Sequence, residues 1–208
     1  MRNPHEIDRS QYDLDQQISK WVSTMFSFLF GDGVAAFVMS KVDSEDNAVK
    51  IGKITHAVNF TDSDYRKASV RLAGNASTHM YEHELTANSD ILKRSLEYSK
   101  KVLARSFGND ADTFDEQQTK SFFAEQKKVM IHTGSMKILD GFKNLYKLDY
   151  NQVQESYETL KEYGNLTGVS IPTVLSKAMT QKNSISGKSL LIGITMGFGL
   201  DLVEIEKV

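Results

Sequence analysis

The chain has 208 residues, of which 40% are hydrophobic and 25% charged, as expected for a soluble globular protein of one domain or one and a half. The net charge of −2 gives no electrostatic case for binding nucleic acid or an anionic membrane. No run approaches the ~20 apolar residues that span a bilayer. The N-terminus carries Arg2, Glu6 and Arg9 where a signal peptide would have an apolar core. We therefore expect a cytoplasmic protein with neither nucleic-acid nor membrane partners.

Cysteine is absent from the sequence. Its absence excludes disulfides, thiolate metal sites and a cysteine nucleophile on this chain. Chemistry that needs a thiolate nucleophile would have to take it from another chain.

The N-terminal part predicts an arm, two strands and an irregular segment. Residues 1–20 mix acidic and basic side chains and favour an exposed arm. Gly31-Asp32-Gly33 is typical of a turn, and the six apolar residues 34–39 behind it predict a buried strand. Residues 51–60 predict a second strand. Residues 61–88 show no clear period and are predicted to be irregular.

The middle of the chain predicts a short strand between two helices. Residues 89–107 predict the first helix, because apolar side chains recur there at helical spacing. The acidic and polar residues 109–121 predict an exposed loop. Residues 128–132 predict the strand, and residues 135–148 predict the second helix with an apolar inner face.

The C-terminal part predicts a loop, a helix and a hairpin. Residues 162–170 form a glycine-bearing stretch that leads into a helix, with Pro172 in or near its first turn. The apolar runs 189–194 and 200–205 are joined by a glycine-bearing turn, which predicts a β-hairpin. The alternation of strands and helices indicates an α/β fold in which helices cover a layered sheet.

Three loops carry polar or glycine-rich residues at strand ends or helix starts, where ligands converge in open α/β sheets. They are His132-Thr133-Gly134-Ser135, Gly164-Asn165 and residues 193–197. His132 alone fits a packed or capping histidine, and Asn165 alone fits a helix-capping loop. Together, the imidazole and the carboxamide supply the two hydrogen-bond donors that a thioester carbonyl needs as negative charge develops on its oxygen.

These motifs resemble a known family. Residues 29–36 (Leu-Phe-Gly-Asp-Gly-Val-Ala-Ala), 132–135, 163–172 and the glycine hairpin 193–199 follow the order found in thiolase-fold condensing enzymes. The similarity is to β-ketoacyl-acyl-carrier-protein synthase III and to the chalcone-synthase-like type III polyketide synthases. The loop after His132 favours the polyketide type, whereas the Ser170 helix start favours synthase III.

The resemblance covers roughly residues 20–208 and implies a fold class. It is an α/β, thiolase-like layered fold, whose C-terminal half has a mixed five-stranded sheet flanked by helices. The implied activity is that of an acyltransferase in fatty-acid or polyketide biosynthesis. No cofactor or metal is implied, and the substrates are acyl thioesters of coenzyme A or of an acyl carrier protein.

The resemblance also implies a role for each matched residue. His132 and Asn165 match the pair that binds the extender thioester, promotes its decarboxylation and stabilises the enolate. Gly197, or its neighbour Met196, matches the backbone N–H of the acyl oxyanion hole, although Met196 departs from the usual glycine-rich hairpin. The residues expected to line the substrate tunnel are Phe30, Met196 and Phe198.

The family's nucleophilic cysteine lies well upstream of the Phe-Gly-Asp-Gly motif, and only 28 residues precede Leu29 here. The resemblance therefore implies an N-terminal arm at 1–20, a remnant of the first thiolase half at 21–50 and the second half at 51–208. A separate N-terminal ketosynthase chain would supply the cysteine, in a hetero-oligomer such as a dimer of heterodimers. The alternative is a non-catalytic partner or scaffold subunit that retains the fold.

Other patterns have alternative interpretations. His79 and His83 lie four residues apart as in some metal sites, but no third ligand is evident. Gly31-Asp32-Gly33 could cradle a phosphate, although the strand predicted after it favours a structural turn. A set of lysines fits either solvated faces or a contact with a carrier-protein or coenzyme A phosphate: Lys127, Lys128, Lys143 and Lys147.

Overall fold

The computed structural model describes residues 30–39, 52–61, 70–75, 80–85, 91–110, 112–180, 187–195 and 199–206. They form a mixed α/β fold in which helices flank a four-stranded sheet, with a separate two-stranded hairpin. The predicted α/β class is confirmed, with four strands in the described part of the sheet where five were expected. The predicted arm at residues 1–20 lies outside the described residues.

The described strands are β1 (Lys53–Thr61), β2 (Val70–Asn75), β3 (Met80–Leu85), β4 (Lys128–Ile131), β5 (Lys188–Thr195) and β6 (Gly199–Glu206). The described helices are α1 (Ile91–Ser106), α2 (Glu116–Glu125), α3 (Met136–Tyr146), α4 (Tyr150–Tyr163) and α5 (Ser170–Thr180), and a 3-10 turn (Thr167–Val169) precedes α5. β1, α1, β4, α3 and α5 lie where the sequence pattern predicts them. None of the helices in the described ranges has both the length and the apolar character needed to cross a bilayer.

The four-stranded sheet has the order β1-β6-β5-β4. β5 and β6 form the predicted antiparallel hairpin, from Lys188 opposite Glu206 to Thr195 opposite Gly199. β1 pairs antiparallel with the other side of β6. β4 pairs parallel with β5, which requires a long crossover, and α3, α4 and α5 lie within it. The loops after β4 and after α4 both belong to this crossover.

The two faces of the sheet contact different helices. On β4, Val129 and Ile131 point into the main core while Met130 points to the opposite face, because successive side chains of a strand alternate. The main core includes buried residues from α1, α2, α3 and α4. On the opposite face, α5 places Val174 and Leu175 in one cluster with Met130. The sheet is therefore layered between helices, as predicted.

β4 is the outer strand of the described sheet, so backbone groups on its free side need partners outside it. α4 supplies partners for part of this edge. The amide of Ile131 donates to the fully buried hydroxyl of Ser156 (2.9 Å). Lys128 Nζ donates to the carbonyl of Asn151 (2.8 Å) and pairs with the buried carboxylate of Glu155. One helix thus closes the strand edge just before the candidate histidine loop.

Residues 34–39 do not form the buried strand that their apolar run predicts. The preceding Gly31-Asp32-Gly33 does not form the predicted turn either. The large apolar side chains of this segment are exposed by between 53% and 97%: Val34, Phe37, Val38 and Met39. An apolar run becomes a buried strand only where other strands and helices cover it, and no described strand pairs with this one.

Three further segments differ from the sequence prediction. Residues 61–88, predicted to be irregular, contain the antiparallel hairpin β2–β3. Residues 109–121, predicted as a loop, include the start of α2, which the side chain of Asp115 caps. The sequence pattern gave no prediction for α4, because polar residues occupy much of its buried face: Glu155, Ser156 and Thr159.

Replacing Ser156 with alanine should leave the buried Ile131 amide without its acceptor. We expect the free energy of unfolding to fall by about 1–3 kcal/mol, the usual cost of an unsatisfied buried group. Urea denaturation of the purified chain measures this change. Ser176→Ala is the matched control, because Ser176 is exposed on α5 and the gain in helix propensity is the same. Equal stabilities of the two variants would contradict the edge-closing role of Ser156.

Candidate active site

The loop after β4 starts from a fixed point on the sheet. The amide of His132 donates to the carbonyl of Ile192 on β5 (2.9 Å), so the parallel ladder extends one residue beyond β4. The amide of Gly134 then donates back to the carbonyl of His132 (2.9 Å). Ser135 caps α3 by accepting a hydrogen bond from the amide of Ile138 (3.3 Å). The loop is therefore tied at both ends.

Burial controls the charge of the imidazole. Desolvation lowers the pKa of His132 from 6.5 to about 4. At neutral pH the ring is therefore uncharged, with one nitrogen that donates a hydrogen bond and one that accepts. Such a ring can donate to a carbonyl oxygen without carrying a full positive charge.

The second loop starts at Gly164, where α4 ends. Gly164 has φ 72° and ψ −152°, a backbone conformation that is essentially restricted to glycine. The side-chain oxygen of Asn165 accepts a hydrogen bond from the amide of Thr167 (2.9 Å), as in an Asx turn. This contact orients the carboxamide and leaves its NH2 group to donate elsewhere. α5 follows at Ser170, with Pro172 in its first turn as predicted.

The two loops meet at Gly134. Asn165 Nδ2 lies 3.5 Å from the carbonyl oxygen of Gly134, a long hydrogen bond. A β-carbon placed on Gly134 would lie 3.2 Å from His132 Cδ2 and 2.8 Å from Ile138 Cδ1, so the imidazole packs directly against this glycine. The structure therefore brings His132 and Asn165, which are distant in the sequence, to the same residue.

The segment that begins at Phe30 lies against the Asn165 loop. Phe30, a predicted tunnel residue, forms an isolated parallel bridge with Asn165 and is half-buried. The amide of Gly31 donates to the carbonyl of Asn165 (3.0 Å). A β-carbon on Gly31 would lie 2.8 Å from Leu166 Cδ2 and 2.8 Å from the carbonyl oxygen of Tyr163, so only glycine permits this approach. Because the Gly31 amide is engaged here, it is not free to cradle a phosphate.

Three predicted site residues lie outside the described residues: Met196, Gly197 and Phe198. The described strands of the hairpin end at the pair formed by Thr195 and Gly199. The oxyanion-hole role of Gly197 and the tunnel roles of its neighbours therefore stay predictions.

The other sequence-based alternatives concern metal and phosphate. His79 lies outside the described residues, and within the described part of the chain no three histidine or acidic side chains are grouped as metal ligands. Lys128, predicted to lie on a solvated face, instead pairs with buried Glu155, so it is committed to the β4 edge.

Sequence reasoning did not single out Thr133 and Ser170, which the structure places between the two loops. Both side chains are fully buried. Thr133 Oγ1 lies 3.2 Å from the carbonyl oxygen of Gly164 and 3.0 Å from Ser170 Oγ. A threonine after a strand and a serine at a helix start are common, so no sequence signal marks this pair.

Comparison with known proteins gives the fold family. No protein-family model matches the chain. A curated relative, β-ketoacyl-[acyl-carrier-protein] synthase III of Clostridium botulinum (strain 657 / Type Ba4), is 24% identical over 186 residues, which cover 88% of this chain and 53% of the relative. A solved structure of a fungal type III polyketide synthase, ORAS, has a TM-score of 0.61 at 12% identity, covering 80% of this chain and 44% of that chain.

A solved synthase III, FabH from Pseudomonas aeruginosa PAO1, has a TM-score of 0.57 at 13% identity, covering 74% of this chain and 44% of that chain. Xanthomonas campestris OleA has a TM-score of 0.54 at 20% identity, with 72% and 38% covered. The chain has the thiolase-like fold of condensing enzymes. The predicted thiolase-like class is confirmed, and proteins of both families named from the motifs are among the similar ones. This thiolase-like chain spans about half the length of its curated relative.

Acid should destabilise the chain through His132. Because burial holds its pKa near 4, against 6.5 when unburied, the unfolded state binds a proton first as the pH falls. The contribution of the neutral ring to stability is therefore complete above pH 6.5 and is lost towards pH 4, by up to about 3 kcal/mol. Urea denaturation at pH 7 and pH 5 should show a smaller loss for His132→Gln than for the wild type. An NMR titration midpoint near 6.5 for the His132 ring would contradict this burial effect.

Proposed function

We propose that this chain is one subunit of a split ketosynthase. His132 and Asn165 bind an extender thioester and assist its decarboxylation, while a partner chain supplies the cysteine that carries the acyl group. The observation that carries the proposal is that the His132 imidazole packs against Gly134, while Asn165 Nδ2 lies 3.5 Å from the carbonyl oxygen of the same glycine. These two side chains come together in a thiolase-like chain that contains no cysteine. The substrates are thioesters of coenzyme A or of an acyl carrier protein, in fatty-acid or polyketide-type biosynthesis.

Decarboxylative condensation makes a specific demand on the two side chains. When a malonyl thioester loses CO2, the electron pair of the broken C–C bond forms an enolate. Its negative charge rests on the former carbonyl oxygen, to which the N–H of neutral His132 and Nδ2 of Asn165 can both donate. The enolate carbon then attacks the acyl thioester on the partner's cysteine, forming the new C–C bond and releasing the thiolate. These steps need hydrogen-bond donors, and neither needs a charged imidazole.

The orientation of the carboxamide supports this assignment. Because the oxygen of Asn165 is held by the amide of Thr167, the side chain presents Nδ2 rather than its oxygen to the His132 loop. Turning the amide over would lose that 2.9 Å hydrogen bond. Asn165 is therefore suited to donate to an oxyanion and not to accept a proton.

The exposed run at residues 34–39 supports the presence of a partner. Soluble monomers rarely expose a large contiguous apolar patch. Here Val34 and Val38 are 96% and 97% exposed, a few residues after Gly31, which is bound to the Asn165 loop. A partner that covered this segment would approach the same loop and could bring a cysteine to it. We therefore assign residues 34–39 to the interface with the cysteine-bearing chain.

A non-catalytic scaffold subunit is the second candidate function. The lack of cysteine favours it, because a chain that only stabilises a partner needs no nucleophile of its own. In that case His132 and Asn165 would be structural, and their removal would not change the chemistry of the complex.

His132→Ala and Asn165→Ala should each remove most of the decarboxylation activity of the complex. The partner is obtained by co-purification with the tagged chain, and the assay is CO2 release from malonyl-coenzyme A or malonyl-carrier protein. We expect kcat/KM to fall by about 10²–10³-fold on loss of either oxyanion donor. Asn144→Ala is the control for the amide change, because Asn144 is exposed on α3. Full activity of both site variants in an intact complex would refute the enzymatic proposal and favour the scaffold.

Val38→Lys should weaken association with the partner without changing the fold. The Val38 side chain is exposed in the chain alone, so lysine fits there, but an interface would bury the new charge without a counter-ion. We expect the Kd to rise by about tenfold or more, measured by titration calorimetry. Tyr150→Lys is the control, because Tyr150 is 51% exposed at the start of α4, whereas Gly31 binds Asn165 beyond the other end of that helix. An unchanged Kd for Val38→Lys would place the interface elsewhere.

A further inference from the structure

Two buried hydroxyl groups, those of Thr133 and Ser170, lie between the two candidate loops. Thr133 directly follows His132, and Gly164 directly precedes Asn165. Thr133 Oγ1 lies within hydrogen-bond distance of both the Gly164 carbonyl and Ser170 Oγ. We propose that Thr133 is a positioning residue, whose hydroxyl sets the separation between His132 and Asn165. The kinetic part of this inference rests on the proposed function, whereas its structural part does not.

Thr133 is the donor in both of these hydrogen bonds. The Gly164 carbonyl can only accept, so Thr133 donates to it (3.2 Å). Thr133 is also the donor in the contact with Ser170 Oγ (3.0 Å), so its single hydrogen is shared between two acceptors. Both hydroxyls are 0% exposed, so water does not replace a lost partner. The hydrogen-bonded link between Ser170 at the start of α5 and Gly164 at the end of α4 therefore depends on Thr133.

The Gly164 carbonyl controls the backbone at Asn165. One planar peptide group joins this carbonyl to the Asn165 amide, so fixing the carbonyl fixes the plane from which Asn165 starts. Glycine is the residue with the most backbone freedom, and the hydrogen bond from Thr133 restricts it at Gly164. Thr133 is itself held on the sheet, because the His132 amide continues the β4–β5 ladder. The Thr133 hydroxyl thus holds the second loop at a fixed position relative to the sheet.

A second polar contact between the loops is longer, and its donor is the group that we propose binds the substrate. Asn165 Nδ2 lies 3.5 Å from the Gly134 carbonyl, at the limit of a hydrogen bond. When Nδ2 donates to a thioester oxygen, this contact is shared or lost. The hydrogen bond between Thr133 and Gly164 involves no atom that contacts the substrate. It therefore persists when substrate binds and keeps the separation between the loops constant.

Thr133→Val tests the role directly, because valine keeps the shape and removes only the hydroxyl. We expect kcat for malonyl-thioester decarboxylation by the complex to fall by about 10- to 100-fold, since small misplacements of reacting groups cost up to about 10²-fold. KM should change by less than about threefold, because no substrate contact is removed. Thr133→Ser keeps the hydroxyl and should recover most of the activity.

Thr159→Val is the matched control. Thr159 is also 0% exposed, but its hydroxyl has no hydrogen-bond partner in the part of the chain that the structure describes. The same chemical change there should leave kcat unchanged. If Thr133→Val lowers stability but the folded complex retains wild-type kcat, the role is only structural and the proposal is wrong.

A structural measurement decides the inference even if the chain is not catalytic. In NMR spectra of the labelled chain, Thr133→Val should shift the side-chain amide signals of Asn165 and the ring signals of His132, whereas Thr159→Val should not. Unchanged Asn165 signals would overturn the proposal. Activity retained by His132→Ala would instead refute the proposed function and leave the NMR result to decide on Thr133.

A second variant keeps the inference testable if Thr133→Val does not fold. Thr133→Ala removes the same hydroxyl without placing a methyl group against the Gly164 carbonyl. We expect kcat and the Asn165 signals to change in the same direction as in Thr133→Val. A folded Thr133→Ala variant in which both remain at wild-type values would contradict the role of the Thr133 hydroxyl.

Discussion

The parallel pairing of β4 with β5 is the constraint on which the candidate site depends. The strand ends at Ile131, but the amide of His132 continues the ladder to Ile192, so the imidazole leaves the sheet at a defined point. α4 covers the free side of β4, where Ser156 accepts a hydrogen bond from the strand. Asn165 follows the end of the same helix. One helix therefore both completes the strand edge and places the second polar group.

Both side chains are neutral hydrogen-bond donors at neutral pH, and for His132 burial is the cause. It lowers the pKa of His132 to about 4, so the imidazole is uncharged at neutral pH, as the Asn165 carboxamide always is. A charged imidazolium would attract the carboxylate of a malonyl substrate in the ground state and oppose its loss. Neutral donors favour the oxyanion that develops only as CO2 leaves, which is the condition for lowering the barrier.

Sequence patterns predict those elements of this fold in which apolar residues alone carry the signal, such as α3 and the β5–β6 hairpin. They fail where polar residues are buried, as on the inner face of α4, and where apolar residues are exposed, as at 34–39. Motif order singles out His132 and Asn165, but their meeting at Gly134 depends on a crossover that spacing does not encode. The link through Thr133 depends on hydrogen bonds to residues far along the chain.

His132 and Asn165 should donate to the same thioester oxygen. A crystal structure of the complex with the cysteine-bearing partner and a malonyl-thioester analogue that does not lose CO2 measures this directly. We expect the thioester carbonyl oxygen to lie within about 3.2 Å of both a ring nitrogen of His132 and Nδ2 of Asn165. A carbonyl oxygen bound by other groups, with either side chain turned away from it, would contradict the assignment.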